Sequence, residues 1–265
     1  SSLYSIREIL IYQHNGLFQY LVESLINKIH VFGLHFAALD VRQDTSVHNT
    51  VLEEIAAKTD LLPKNYGELS TEEKIKILTS ASGDIGTHVF EDGLVKDTLQ
   101  TIKTIKEIQQ YNGVEGCNRY IISHSNTALN VLEVYALFRL CGWKKESLPI
   151  DIVPLFETID DLEGAPEIMK QLYENESYKA HLQSRKNRQT IMVGFSDGTK
   201  DGGYLMSNWG IYKAKEGLSN ISAKMAATTE SGQEPKKPVK KRHSINVWKS
   251  FAVAAPKQNM LKTNM

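Results

Sequence analysis

Glu157 and Asp197 each stand at or just beyond the end of a short apolar run, PIDIVPLF for the first and TIMVGF for the second. Two carboxylates at neighbouring strand ends suit a hard divalent cation such as Mg²⁺, which takes one or two carboxylates together with water and substrate oxygens. General acid–base work by the pair is a second reading. Solvated or helix-capping acids are a third, and spacing alone leaves all three open. Arg42 closes another apolar run and carries the planar fork that grips phosphate or carboxylate; pairing with a nearby acid is its plainer use. Lys200 lies in FSDGTKDGG, residues 195–203, between a strand and a helix. Such a stretch can turn backbone N–H groups and a lysine onto an anion, or be an ordinary tight turn. Its spacing is not that of a P-loop.

Other polar residues gather at the same kind of place. The first expected strand delivers Asp40, Gln43 and Asp44 beside Arg42, and the second delivers His124, Ser125 and Asn126. The third delivers Asp160 and Asp161 beside Glu157, and the fourth delivers Asp201 beside Asp197 and Lys200. In parallel α/β folds, functional groups collect at the carboxyl ends of strands. Asp160 and Asp161 open a helix, where capping accounts for them. His35 and His48 read as structural, and His124, alone on a loop, does not define a site. No G-x-S-x-G elbow or paired-cysteine motif occurs.

The elements that must hold these residues follow from periodicity. Helices are expected over 5–29, 51–58, 71–78, 97–110, 129–140, 161–182 and 204–218, with Ser70 as a cap ahead of Glu72 and Glu73. Strands are expected over 32–41, 119–123, 149–156 and 190–195. Apolar runs alternating with long helices predict a parallel sheet with crossover helices, its strands buried on both faces. The fold class is therefore helix-rich α/β, divided into residues 1–220 and a flexible basic tail over 221–265. Residues 231–265 hold eight basic residues against Glu234 alone, so the tail is strongly cationic.

Composition narrows the function classes. The chain has 265 residues, is 41% hydrophobic and has a formal net charge of +0. That allows a sizeable core and gives no global signal for nucleic acid or an anionic membrane surface. No run of about 18 apolar residues is present, and residues 1–10 do not read as a signal peptide. Cys117 and Cys141 are too few for a disulfide framework, which suits two reduced thiols in the cytoplasm.

Several of these stretches resemble phosphoenolpyruvate carboxylase. FGLHFAALDVRQDTSVHNTVLEEI over 32–55 is similar to the family's FGL…LDIRQES segment, and YIIS at 120–123 matches the start of a family strand. PLFETIDDL over 154–162 is nearly the family's PLFETLDDL. MVGFSDGTKDGG over 192–203 looks like MVGYSDSAKDAG, and WGIYKAKE over 209–216 continues the match. The resemblance implies Mg²⁺ or Mn²⁺ held by Glu157 and Asp197, substrate phosphate on Arg42, and phosphate or bicarbonate near Lys200. It implies part of a TIM-type (β/α) barrel with about four strands present, in a cytoplasmic homotetramer. The activity implied is carboxylation of phosphoenolpyruvate by bicarbonate to oxaloacetate and phosphate. Val47 and the HSNTALN stretch over 124–130 depart from the family pattern. The family's upstream catalytic histidine and its HGRGG loop have no counterpart here, so the isolated chain is expected to be inactive. A self-associating or interaction module, and another metal-dependent lyase of the phosphoenolpyruvate/pyruvate barrel class, are the alternatives.

Overall fold

The computed structural model describes residues 2–33, 37–230 and 245–250. In chain order the elements are α1 (Ser2–Gln13), α2 (Gln19–Phe32), β1 (Asp40–Asp44), α3 (Thr45–Lys58), α4 (Thr71–Ser80) and α5 (Leu94–Asn112). There follow β2 (Arg119–Ser123), α6 (Ala128–Leu140), β3 (Asp151–Phe156), α7 (Ile159–Glu174), α8 (Glu176–Ser184), β4 (Gln189–Gly194), α9 (Phe195–Glu230) and β5 (Ile245–Ser250). All strand pairs are parallel, and the order β1-β2-β3-β4-β5 never reverses. None of the described helices is long and apolar enough to cross a membrane.

Sequence alternation decides which face of the sheet each residue serves, because successive side chains on a strand point to opposite faces. Tyr120, Ile122, Ile152, Phe156, Ile191 and Val193 enter the large core built with the helices. Ile121, Val153 and Leu155, with Met192 against them, form a separate small cluster on the other face. The register pairs Arg42 with Ile121, so Arg42 belongs to that second face. Helix α6 is buried nearly all round, which explains its almost unbroken apolar sequence.

Local chemistry sets the helix starts. Ser70 and Glu73 form a capping box ahead of α4, and Thr158 and Asp161 form another ahead of α7. Asp44 caps α3 by accepting from the Ser46 backbone N–H at 2.9 Å.

The structure corrects several boundaries. The helix expected over 5–29 is two, broken where Asn15, Gly16 and Phe18 take positive φ angles of 50°, 74° and 60°. Of the strand expected over 32–41, Phe32 ends α2 and the described strand β1 begins at Asp40. His35 lies outside the described residues. Asn175 divides the helix expected over 161–182 by capping α8 through its side chain. The stretch over 195–203, expected as a loop, is the start of α9, with non-helical backbone at Gly203 alone (φ 77°, ψ 171°). Within the segment expected as a tail, α9 runs on to Glu230 and Ile245–Ser250 adds a fifth strand beside β4.

Candidate functional site

The carboxyl ends of β1, β2 and β3 bring together side chains far apart in sequence. Asp44 stands in register with Ser123, and Glu157 follows directly on Phe156. Arg42 spans the three strands. Its Nε donates to Ser123 Oγ at 2.6 Å and its Nη2 to Glu157 Oε1 at 2.6 Å. Glu157 is 6% exposed, whereas the Arg42 side chain is 46% exposed. The arginine thus neutralises a buried carboxylate from the solvent side.

His124 stands beside this pair. Its Nδ1 lies 2.6 Å from Asp44 Oδ2 and its Nε2 3.7 Å from Glu157 Oε2. Partial burial works against ionising Asp44, but hydrogen bonds from Ser46 and His124 outweigh it and hold the carboxyl down to about 2. The Asp44 hydrogen bond in turn raises the His124 imidazole above its ordinary value, with Glu157 adding to the pull. His124 holds a left-handed backbone with φ 54°.

Behind Glu157, Asp161 Oδ2 accepts from the backbone N–H groups of Glu157 at 3.2 Å and Thr158 at 3.0 Å. Asp201 Oδ2 accepts from the Ile159 N–H at 3.0 Å, tying the start of α9 to the start of α7. Gly198 and Gly202 make this contact possible. A Cβ on Gly198 would sit 3.4 Å from the Glu157 carbonyl oxygen, and one on Gly202 only 2.7 Å from Ile159 Cγ1. They serve close packing of α9 against the Glu157 turn, in a stretch that is helical where a loop was expected.

Of the residues singled out by sequence, Arg42 and Glu157 are in direct contact. Asp197 lies in the first turn of α9, paired with Lys200 of the same helix at 3.3 Å. The backbone contact at Gly198 brings that turn against the Glu157 segment. Asp40, expected at a carboxyl end, instead opens β1 and pairs with Arg119 at 2.9 Å, at the opposite end of the sheet. His48 is buried, its Nε2 3.0 Å from the Tyr120 hydroxyl. Cys117 and Cys141 are free and buried. His124 is the site residue that sequence reasoning undervalued; its position directly after the last residue of β2 was the available signal.

Carboxylate oxygens are the donor type that a hard divalent cation takes: Arg42 bonds Glu157 at Oε1, and Asp197 is paired with the exposed Lys200. Among the described residues no three His, Cys, Asp or Glu side chains are already grouped as a metal cage.

Parallel strands in unbroken order, with an arginine, acids and a histidine at their carboxyl ends, define a helix-rich α/β protein with a charged cluster at its strand ends. The family model described as phosphoenolpyruvate carboxylase matches residues 1–229. The chain belongs to the phosphoenolpyruvate carboxylase family. The phosphoenolpyruvate carboxylase of Gloeobacter violaceus is 35% identical over 208 residues, covering 76% of this chain and 22% of that protein. A Prochlorococcus marinus phosphoenolpyruvate carboxylase is 35% identical over 214 residues, covering 77% and 22%. That of Thermosynechococcus vestitus is 35% identical over 229 residues, covering 81% and 23%. The chain spans between a fifth and a quarter of the length of these curated relatives.

Proposed function

We propose that this chain carries the cation-binding and phosphate-binding part of a phosphoenolpyruvate carboxylase site, in which bicarbonate and phosphoenolpyruvate give oxaloacetate and phosphate. The observation that carries the reading is the Arg42–Glu157 contact at 2.6 Å, made across three strand ends. It sets a phosphate-binding fork against a buried carboxylate. Arg42 holds the substrate phosphate with the N–H donors not spent on Ser123 and Glu157. Glu157 and Asp197 would hold Mg²⁺ or Mn²⁺, and Lys200, released from Asp197, would face the phosphate or bicarbonate. When bound, the cation would supply Lewis-acid stabilisation of developing negative charge. Asp161 and Asp201 fix the turn bearing Glu157, so the carboxylate is positioned before substrate arrives.

In this reading the sheet is an arc of an eight-strand barrel. An unreversed parallel order supports it, because an open doubly wound sheet reverses at a switch point. The face carrying Ile121, Val153 and Leu155 is then the barrel interior. A second reading, association with another protein surface or a second copy, is favoured by exposed Tyr204, Leu205, Trp209 and Tyr212 on α9.

The test is a Mn²⁺ titration of the purified chain, followed by electron paramagnetic resonance. Saturable binding is expected, and Glu157→Gln and Asp197→Asn each weaken it at least about tenfold. Binding indifferent to both changes overturns the reading.

A further inference from the structure

Glu157 uses its two oxygens differently. Oε1 is taken by Arg42 at 2.6 Å, whereas Oε2 faces His124 Nε2 at 3.7 Å. The other ring nitrogen is committed, because Nδ1 lies 2.6 Å from Asp44 Oδ2. Asp44 also accepts the Ser46 N–H, at 2.9 Å, and the Ser46 hydroxyl, at 2.6 Å. A carboxylate oxygen accepts, so Nδ1 is the donor of its contact with Asp44, and Nε2 is the nitrogen turned towards Glu157 Oε2. A carboxylate that fixes one imidazole nitrogen while the other is presented to a cation is the usual arrangement of a metal-bound histidine.

The separation fits as well. The 3.7 Å between Nε2 and Oε2 is short enough for one divalent cation to be shared by both. The competing role is that His124 keeps a proton on Nε2 and blocks Oε2 against a cation.

We propose that His124 is a further ligand of the divalent-cation site, joining Glu157 to give a mixed nitrogen–oxygen site that prefers a first-row transition ion such as Mn²⁺ over Mg²⁺. The inference rests on the cation reading of Glu157. An imidazole nitrogen favours transition ions, whereas Mg²⁺ favours oxygen alone. Asp44 is a positioning residue in this arrangement, acting through the ring.

Mn²⁺ binding to the purified chain is compared with that to His124→Gln, Asp44→Asn and Glu157→Gln by electron paramagnetic resonance, with pulsed detection of coupled ¹⁴N and with Mg²⁺ as competitor. His124 is exposed at the loop, so its replacement is tolerated by the fold. His124→Gln is expected to weaken Mn²⁺ at least about tenfold, remove the ¹⁴N coupling and reduce the preference over Mg²⁺. Asp44→Asn is expected to weaken Mn²⁺ while leaving the ¹⁴N coupling in place. Unchanged or tighter Mn²⁺ binding by His124→Gln, or no ¹⁴N coupling in the unaltered chain, overturns the proposal. If binding is still lost in Glu157→Gln, the cation reading survives that failure. Mn²⁺ binding that persists in Glu157→Gln overturns both.

Discussion

Arg42 Nη2 and Glu157 Oε1 meet at 2.6 Å although 115 residues separate them in sequence. The arginine comes from β1 and the carboxylate from just beyond β3, so the pair bridges β2. Removing Arg42 leaves a nearly buried charge uncompensated. Breaking a fully buried pair costs about 3–5 kcal/mol. The half-exposed guanidinium reduces that, and Arg42→Gln is expected to cost about 1–2 kcal/mol. In urea unfolding, Arg42→Gln combined with Glu157→Gln should be more stable than Arg42→Gln alone. Additive losses would show that the pair is not coupled.

Glu133 gives the fold a pH dependence with a definite sign. It is 2% exposed on α6 and accepts from Asn130 Nδ2 at 3.3 Å. Burial pushes Glu133 up to about 7, against the pull of Asn130 and Lys74, with Glu53 adding to the rise. The folded chain therefore binds the proton more tightly than the unfolded chain. This contribution to stability is present at low pH and is lost as pH rises from the unfolded value towards 7. Glu133→Gln should remove that loss, making the variant more stable than the unaltered chain at pH 8, by on the order of 1–3 kcal/mol, and about equal at pH 4.5. Chemical unfolding at the two pH values checks it; equal differences at both would exclude Glu133 as the source.

Asp44 performs two tasks that substitution separates. Asp44→Ala removes the α3 cap and the His124 partner, at a cost of about 1–2 kcal/mol. Asp44→Asn keeps an oxygen for the Ser46 N–H but removes the charge beside His124. The Asp44 carboxyl is held down to about 2, so its contribution is present at neutral pH and is lost as pH falls below the unfolded value towards 2. Titration of the His124 ring by NMR should show a lower pKa in Asp44→Asn. An unchanged value would mean that the Asp44 contact does not govern the ring.

The legible parts of the fold were those where one physical rule dominates. β2 reads as RYIIS because its centre, Tyr120 to Ile122, is buried on both faces and apolar, and its bounds in sequence and structure coincide. The α4 cap reads from Ser70 with acids behind it. The break between α1 and α2 did not read, because Leu17 and Phe18 keep the helical apolar phase while the backbone turns. The run over 32–41 misled for the converse reason: it is apolar, yet among the described residues strand pairing starts at Asp40. Strand ends identified Arg42 and Glu157 as candidates, but their contact depends on register across β2, which spacing does not encode. The same holds for Asp44 and His124, 80 residues apart.

The glycines of residues 195–203 looked like loop formers, and their packing role supplies a further prediction. A Cβ at Gly202 would lie 2.7 Å from Ile159 Cγ1 and 3.2 Å from Met206 Cβ, closer than carbon atoms pack. Gly202→Ala must push α9 away from the start of α7, where Asp201 accepts from the Ile159 N–H. Overpacking of this kind costs about 1–3 kcal/mol. The displacement should also move Asp197 relative to Glu157 and weaken Mn²⁺ binding, although Gly202 itself contributes no ligand. Ile159→Ala in the same chain opens the space and should restore part of both stability and affinity, because the two changes share one contact. Loss of affinity in Gly202→Ala that Ile159→Ala leaves unrelieved would place the cause elsewhere than this packing contact.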